Sequence, residues 1–225
     1  ADLDEVREDI ISRTMEEEMS LASSLGRVNL ASSLSCLSSL YQVCLPRLKD
    51  LFEKEGEMTP DAASLLEEAR LLIMCTCHLL TDDCSGETPL IPEAILNACC
   101  KPSSAPNDFK RGSVDYAQAT SAIIDLVSSL IGVAEFQASR LAMNANNHHL
   151  SPLLAKTLLW FFKRWAPAYI FPSSQEYDST RFESSSGILN VWRTQESAGK
   201  AVSFCVTLCL HYQCFWPQET QVQEE

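Results

Sequence analysis

Cys75, Cys77, His78 and Cys84 place thiols and an imidazole close together, and these are side chains that bind zinc. Their spacing works against a site. On a helix Cys75 and Cys77 point about 200° apart, whereas a tetrahedral metal needs convergent ligands. Core thiols are the simpler reading. Cys205 and Cys209 are four residues apart and share a helix face, with His211 and Cys214 nearby. That geometry suits metal or redox chemistry better, but no C-x-x-C partner accompanies it, and packing again explains the residues. His148 and His149 precede Ser151, a base near a hydroxyl in sequence. Neighbours in a loop rarely converge as nucleophile and base, and Ser151 before Pro152 is accounted for as a helix N-cap. The chain therefore reads as a non-enzyme with no catalytic residues, no metal site and no cofactor.

Asp82, Asp83 and Glu87 cluster in a loop that could hold a hard cation, yet the D-x-D-x-D-G pattern with a distal Glu is missing. A solvated acidic loop, or a surface for a basic partner, fits them better. Trp160, Phe161, Phe162, Lys163, Arg164 and Trp165 mix aromatic rings with positive charge, as a base-stacking platform would. These aromatics fall at helical core spacing, with Lys163 and Arg164 expected on the opposite face.

The elements that carry these residues follow from composition and periodicity. The chain of 225 residues is 46% hydrophobic, and its 30 acidic against 17 basic side chains give a net charge of −13. A phosphate-tracking groove has little to work with, so nucleic acid is excluded as a partner. Seven glycines leave few places for hairpins or Gly-rich phosphate loops, and the composition points to helices. The ten cysteines sit mostly in apolar helical stretches, which suits a reducing compartment better than a disulfide framework. No secretory leader opens the chain and Ala1 stands first, so the start reads as processed or truncated. Residues 201–218 lack Asp, Glu, Lys and Arg, but Ser203, Thr207, His211, Gln213 and Pro217 interrupt them. A buried helix is expected there rather than a membrane span.

Residues 1–26 form an acidic lead-in, helical or disordered. Within 27–100, Leu30, Leu34, Leu37, Tyr41, Cys44, Leu48 and Leu51 step by four and three along one helix face, widened by Leu40, Leu45 and Phe52. Pro46 should bend or break that helix near Gln42. Thr59 and Pro60 then cap a second helix through Leu65, Ala69, Leu72, Ile73, Thr76 and Leu80, with Gly56 in the connection. Residues 101–112 form a linker. Residues 113–216 hold further hairpins: one helix with Val114, Ala117, Ser121, Ile124, Val127, Ile131, Ala134, Ala138 and Leu141 on one side, one capped by Ser151, and last helical material over 188–192 and 197–215. A polar tail covers 217–225. The fold expected is all-α, an α-solenoid of HEAT-type antiparallel helix hairpins, although periodicity alone also permits a compact bundle.

The run L-L-T-D-D-C-S-G-E-T-P-L-I-P at 79–92 and the run L-S-P-L-L-A-K-T-L-L-W-F-F-K-R-W-A at 150–166 resemble the exportin-4 family, nuclear export receptors of the importin-β (karyopherin) superfamily. Residues 21–30, with their S-L-G-R core, and Val191-Trp192 follow in the same order. The similarity reads as a middle segment of a much longer receptor. Against the family, the linker at 101–112 is short, helical material between 177 and 191 is missing, and the resemblance fades after Phe215 into residues 217–225.

What this resemblance implies is a HEAT-repeat superhelix that binds protein cargo together with GTP-bound Ran in the nucleus and releases it in the cytoplasm. Such a receptor shuttles through the nuclear pore and meets its proteins. The main Ran contact is implied for N-terminal repeats outside this chain. Family cargo includes the hypusine-bearing translation factor, a basic ligand that an acidic surface would suit. Asp82, Asp83 and Glu87 are the candidate partner-binding residues. The alternative is a helical-repeat adaptor without Ran-coupled transport. An isolated middle block would expose apolar end faces, so poor solubility or self-association is expected.

Overall fold

A computed structural model describes residues 3–54, 56–82, 88–99, 116–143, 148–171, 188, 191–192 and 194–217. In chain order the helices are α1 (Leu3–Gly26), a 3-10 turn (Arg27–Asn29), α2 (Leu30–Glu53), α3 (Pro60–Leu80), α4 (Glu93–Ala98), α5 (Tyr116–Met143), α6 (Pro152–Tyr169) and α7 (Gln195–Phe215). Ile188, Val191 and Trp192 are also helical, and no strand occurs among the described residues. Residues 83–87, 100–115 and 172–187, where the acidic loop, the linker and the second polar loop are expected, lie outside the described residues.

Local chemistry sets the helix starts. The Thr59 hydroxyl accepts from Ala62 N at 3.2 Å and the Ser151 hydroxyl from Leu154 N at 3.2 Å, each with proline at the first helical position. Asn29 and Thr194 cap α2 and α7 in the same way, at 3.3 and 3.1 Å. Gly56 takes a φ of +148° in the α2–α3 connection, a conformation that side chains other than glycine rarely adopt.

Of the bend or break expected at Pro46, the break does not occur. Helix α2 continues to Glu53 because Leu48, Leu51 and Phe52 beyond the proline are all buried and hold the last turns in place. Pro167 is likewise carried inside α6.

The helices alternate between two layers. Helices α2, α5 and α7 pack side by side in one, and α1, α3 and α6 in the other, with α2 against α3 and α5 against α6 across the layers. This is an all-α solenoid of antiparallel hairpins. Every residue of the predicted α2 stripe from Leu30 to Leu51 is buried, although Leu40 is exposed.

For α5 the predicted face is only partly right. Val127, Ala134, Ala138 and Leu141 are buried, but Ala117 and Ser121 are exposed, and the face centres on Ala119, Ile123, Leu126 and Leu130. This helix touches α2, α4, α6 and α7, so it is apolar around much of its girth and its period is blurred. By length and composition α5 could cross a bilayer; here its apolar residues fill the core between neighbouring helices.

Few polar side chains are buried, and those that are tie helices together. Tyr41 Oη bonds Thr76 Oγ1 at 3.0 Å between α2 and α3. Gln137 on α5 donates to Ser151 O at 3.0 Å and accepts from Tyr212 Oη at 2.9 Å, joining α5, the start of α6 and α7 through one fully buried amide. Burial pushes the Tyr41 and Tyr212 phenols well above their ordinary range, so both remain hydrogen-bond donors at any physiological pH.

Candidate functional site

The densest polar arrangement among the described residues is at the C-terminal end of α3. A helix end leaves its last carbonyls without partners inside the helix and carries partial negative charge. Here side chains from other helices satisfy them. The Arg27 guanidinium, just beyond α1, donates from Nη2 to His78 O and, at 3.0 Å, to Thr81 O, and from Nε to Leu79 O at 3.3 Å. Tyr169 Oη on α6 donates to Leu80 O at 2.7 Å. The Thr81 hydroxyl donates back to Cys77 O at 2.8 Å. Arg164 Nη2, also on α6, donates to Asp82 O at 2.8 Å.

Asp82 completes the junction. Its carboxylate binds Arg27 Nη1 at 2.6 Å, and its amide donates to Leu90 O at 2.8 Å. The Asp82 side chain is 44% exposed and that of Arg27 is 17% exposed, so the pair sits at the edge of the packed core. Trp160 lies edge-on to His78 with centroids 5.3 Å apart, and the Arg164 guanidinium stands over Trp160 at 5.2 Å.

Chain geometry explains how Arg27 arrives there. A Cβ on Gly26 would meet Ser33 Oγ of α2 at 3.0 Å, so glycine permits the close approach of the first turns of α2, while Leu79 of α3 stands at an ordinary contact distance of 3.6 Å. Ser33 Oγ then donates to Gly26 O at 2.8 Å and fixes the turn into α2.

The structure resolves the fate of each predicted residue it describes. Asp82 is in the junction, bonded to Arg27, whereas Asp83, Glu87 and Cys84 lie outside the described residues. Arg164 does not project away from the core as its helical position suggests. Its long stem folds over Trp160 to reach the α3 end. Arg27 and Tyr169 carry no local mark as capping residues, because the carbonyls they bind are 51–54 and 89 residues away.

Among the described residues no group of three His, Cys, Asp or Glu side chains could hold a metal ion. Cys75 Sγ lies 3.2 Å from Met19 Sδ between α1 and α3, while Cys77 is buried against Thr81 on another side. The His149 ring is set between Lys54 O and Glu57 O, each at 3.2 Å, and Ser151 Oγ is used as a cap, so the two do not form a catalytic pair. An open cleft beside α3 and α6 is lined by Met58, Leu66, Leu153 and Leu154, with Glu67 and Arg70 bonded to each other at 2.6 Å.

The thiols of Cys44, Cys75, Cys205 and Cys209 are insulated rather than activated. Burial, reinforced by the neighbouring Cys209, pushes Cys205 up to about 11, and burial with the charge of Glu68 does the same for Cys44. A reactive or metal-binding cysteine needs the opposite shift. The expected result of thiol labelling at pH 8 is modification of the exposed Cys36 and Cys214, with Cys44 and Cys205 about a thousandth ionised and slow. Raising the pH toward 11 should bring Cys44 and Cys205 up. Fast labelling of Cys205 at pH 7 would contradict this assignment.

Comparison with known proteins bears on what the junction belongs to. The family model described as Exportin-4 matches residues 1–225. Among curated proteins the chain is similar to Exportin-4 of Dictyostelium discoideum, with 26% identity over 171 residues. That alignment covers 76% of this chain and 13% of the relative, so the chain spans a small part of the length of the protein it matches.

Proposed function

The chain belongs to the exportin-4 family, and from that premise we propose that it forms a stretch of the HEAT-repeat scaffold of a nuclear export receptor. The observation that carries this reading is the family match over the whole chain, joined to the two-layer solenoid. It is supported by where the matching runs meet: Arg27 from S-L-G-R, Asp82 from L-L-T-D-D and Arg164 from W-F-F-K-R-W converge on the end of α3.

In this reading the receptor carries protein cargo with GTP-bound Ran out of the nucleus, releases it after GTP hydrolysis and shuttles between nucleus and cytoplasm through contacts with nuclear pore proteins. Ran is gripped by repeats outside this chain. The segment is not an enzyme and contributes rigidity and surface. A net charge of −13 favours a basic cargo such as the hypusine-bearing translation factor, through steering more than through buried contacts. Asp83 and Glu87 offer their charge to that cargo. Asp82, tied to Arg27, adds a partly neutralised charge.

The test is a pull-down from nuclear extract with this chain and with a version extended to its full transcript, each with and without GTP-locked Ran. The extended protein is expected to capture cargo only with Ran, and this chain alone to capture none. Equal capture by this chain without Ran would establish the adaptor reading instead. In the extended protein, Asp83→Lys with Glu87→Lys should weaken cargo binding; unchanged affinity would remove the loop from the cargo surface.

A further inference from the structure

His149 is 5% exposed and lies in the connection from α5 to α6. Its Nδ1 stands 3.2 Å from Lys54 O and its Nε2 3.2 Å from Glu57 O, both in the connection from α2 to α3. The ring therefore bridges the turn of one helix hairpin and the turn of the next.

Both partners are carbonyl oxygens, which can only accept. A neutral imidazole has one N–H and one lone pair, so it satisfies one carbonyl and turns the lone pair toward the other; only the imidazolium donates on both sides. The end of α2 adds to this preference, because its last carbonyls carry partial negative charge that favours a cation. Arg140 on α5 already serves one of them, donating from Nε to Phe52 O at 3.2 Å. We propose that His149 is a proton-dependent clasp. With both nitrogens protonated it fastens the α2–α3 connection to the α5–α6 connection, and on losing one proton it releases one of the two carbonyls.

Charged side chains on the surrounding elements carry both signs. Glu53 at the end of α2, Glu57 in the connection and Asp61 at the start of α3 are exposed and favour the protonated ring. Lys54, also exposed, and Arg140 and Lys156, partly buried on α5 and α6, oppose it, and Glu55 lies outside the described residues. Solvent screens the exposed charges, so the two carbonyls in contact decide. A group that gains partners in its protonated form adds stability at low pH and loses it as the pH rises. The clasp is thus closed on the acid side of the histidine range and open on the alkaline side. It rests on this carbonyl pair, independently of the transport reading.

Hydrogen exchange read by mass spectrometry on the extended protein tests it, at about pH 5.5 and about pH 8, either side of the ordinary histidine range, with rates corrected for the intrinsic effect of pH. The amides to follow are those in the last turn of α2 and those of Ala62 and Ala63, whose acceptors belong to Thr59. Their protection is expected to fall about ten-fold from the lower to the higher pH, the smaller end of what a hydrogen bond to a charged group contributes. His149→Gln should show the low protection at both pH values, and His148→Gln, at the exposed neighbour, should keep the native dependence. Should His149→Gln lose helicity by circular dichroism, His149→Phe keeps a flat ring without either nitrogen and takes its place. Equal protection of the native protein at both pH values would overturn the proposal. So would a fall that persists in the His149 variant, which would assign it to another group.

Discussion

Arg27→Ala is expected to destabilise the fold by about 3 kcal/mol, more than its surface position in the sequence suggests. The guanidinium serves three backbone carbonyls, at His78, Leu79 and Thr81, and the Asp82 carboxylate. A buried acceptor left without a donor costs about 1–3 kcal/mol, and water would re-solvate the outer part of this site, which brings the sum down to the stated value. Urea denaturation should show a lower midpoint with an unchanged slope. Two companions separate the capping role from the ion pair. Asp82→Ala removes only a half-exposed partner and should cost about 1 kcal/mol or less. Arg27→Lys should recover less than half of the loss, because one ammonium cannot span carbonyls arranged for a planar fork. If Asp82→Ala proved as costly as Arg27→Ala, the ion pair and not the helix end would be what Arg27 secures.

Trp165→Ala should cost about 4 kcal/mol, the range expected for truncating a fully buried aromatic. Trp165 is 1% exposed and lies among Phe161 and Tyr169 on its own helix, at 6.3 and 6.4 Å, and Trp192, edge-on at 5.4 Å. Next to it Phe162 meets Phe204 of α7 at 5.3 Å, so this cluster couples α6 to the 188–192 region and to the last helix. Trp165→Phe should cost far less, about 1–2 kcal/mol, since the indole N–H has no hydrogen-bond partner among the described residues and only volume is lost. Thermal melts of the two variants would check both numbers. A Trp165→Phe variant as unstable as Trp165→Ala would mean that the N–H carries a bond.

Legibility in the sequence divided along the range of the interactions. Helix α2 could be read residue by residue because it buries one face and exposes the rest, which keeps its period of four and three clean. The caps at Thr59 and Ser151 were legible for the same reason: cap, proline and first turn are contiguous. Helix α5 was blurred by having neighbours on several sides. That Pro46 would not break α2 was not legible, because the cost of a missing donor is local, while the packing of Leu48 and Phe52 that offsets it is not.

At the site, the charge of Asp82 made it a candidate for binding a partner, whereas the contact observed is to Arg27 of the same chain, which charge alone does not identify. An arginine that caps a helix more than fifty residues away looks like any other arginine. Arg27, Asp82 and Arg164 are far apart in the chain and meet only once it is folded.

The seam between α1 and α3 differs in kind from the one between α3 and α6. Arg70 Nη2 reaches Met15 Sδ at 3.0 Å and its Nη1 reaches Met74 Sδ at 3.1 Å, and Cys75 Sγ meets Met19 Sδ at 3.2 Å. Unbranched thioethers change rotamer at little cost, whereas the Tyr169 and Arg164 contacts to α3 are directional and fail if displaced. Stiffness is thus graded along α3 itself: its middle turns meet α1 through soft, easily displaced sulfur atoms, while its C-terminal end is pinned by the directional bonds of Arg27, Arg164 and Tyr169.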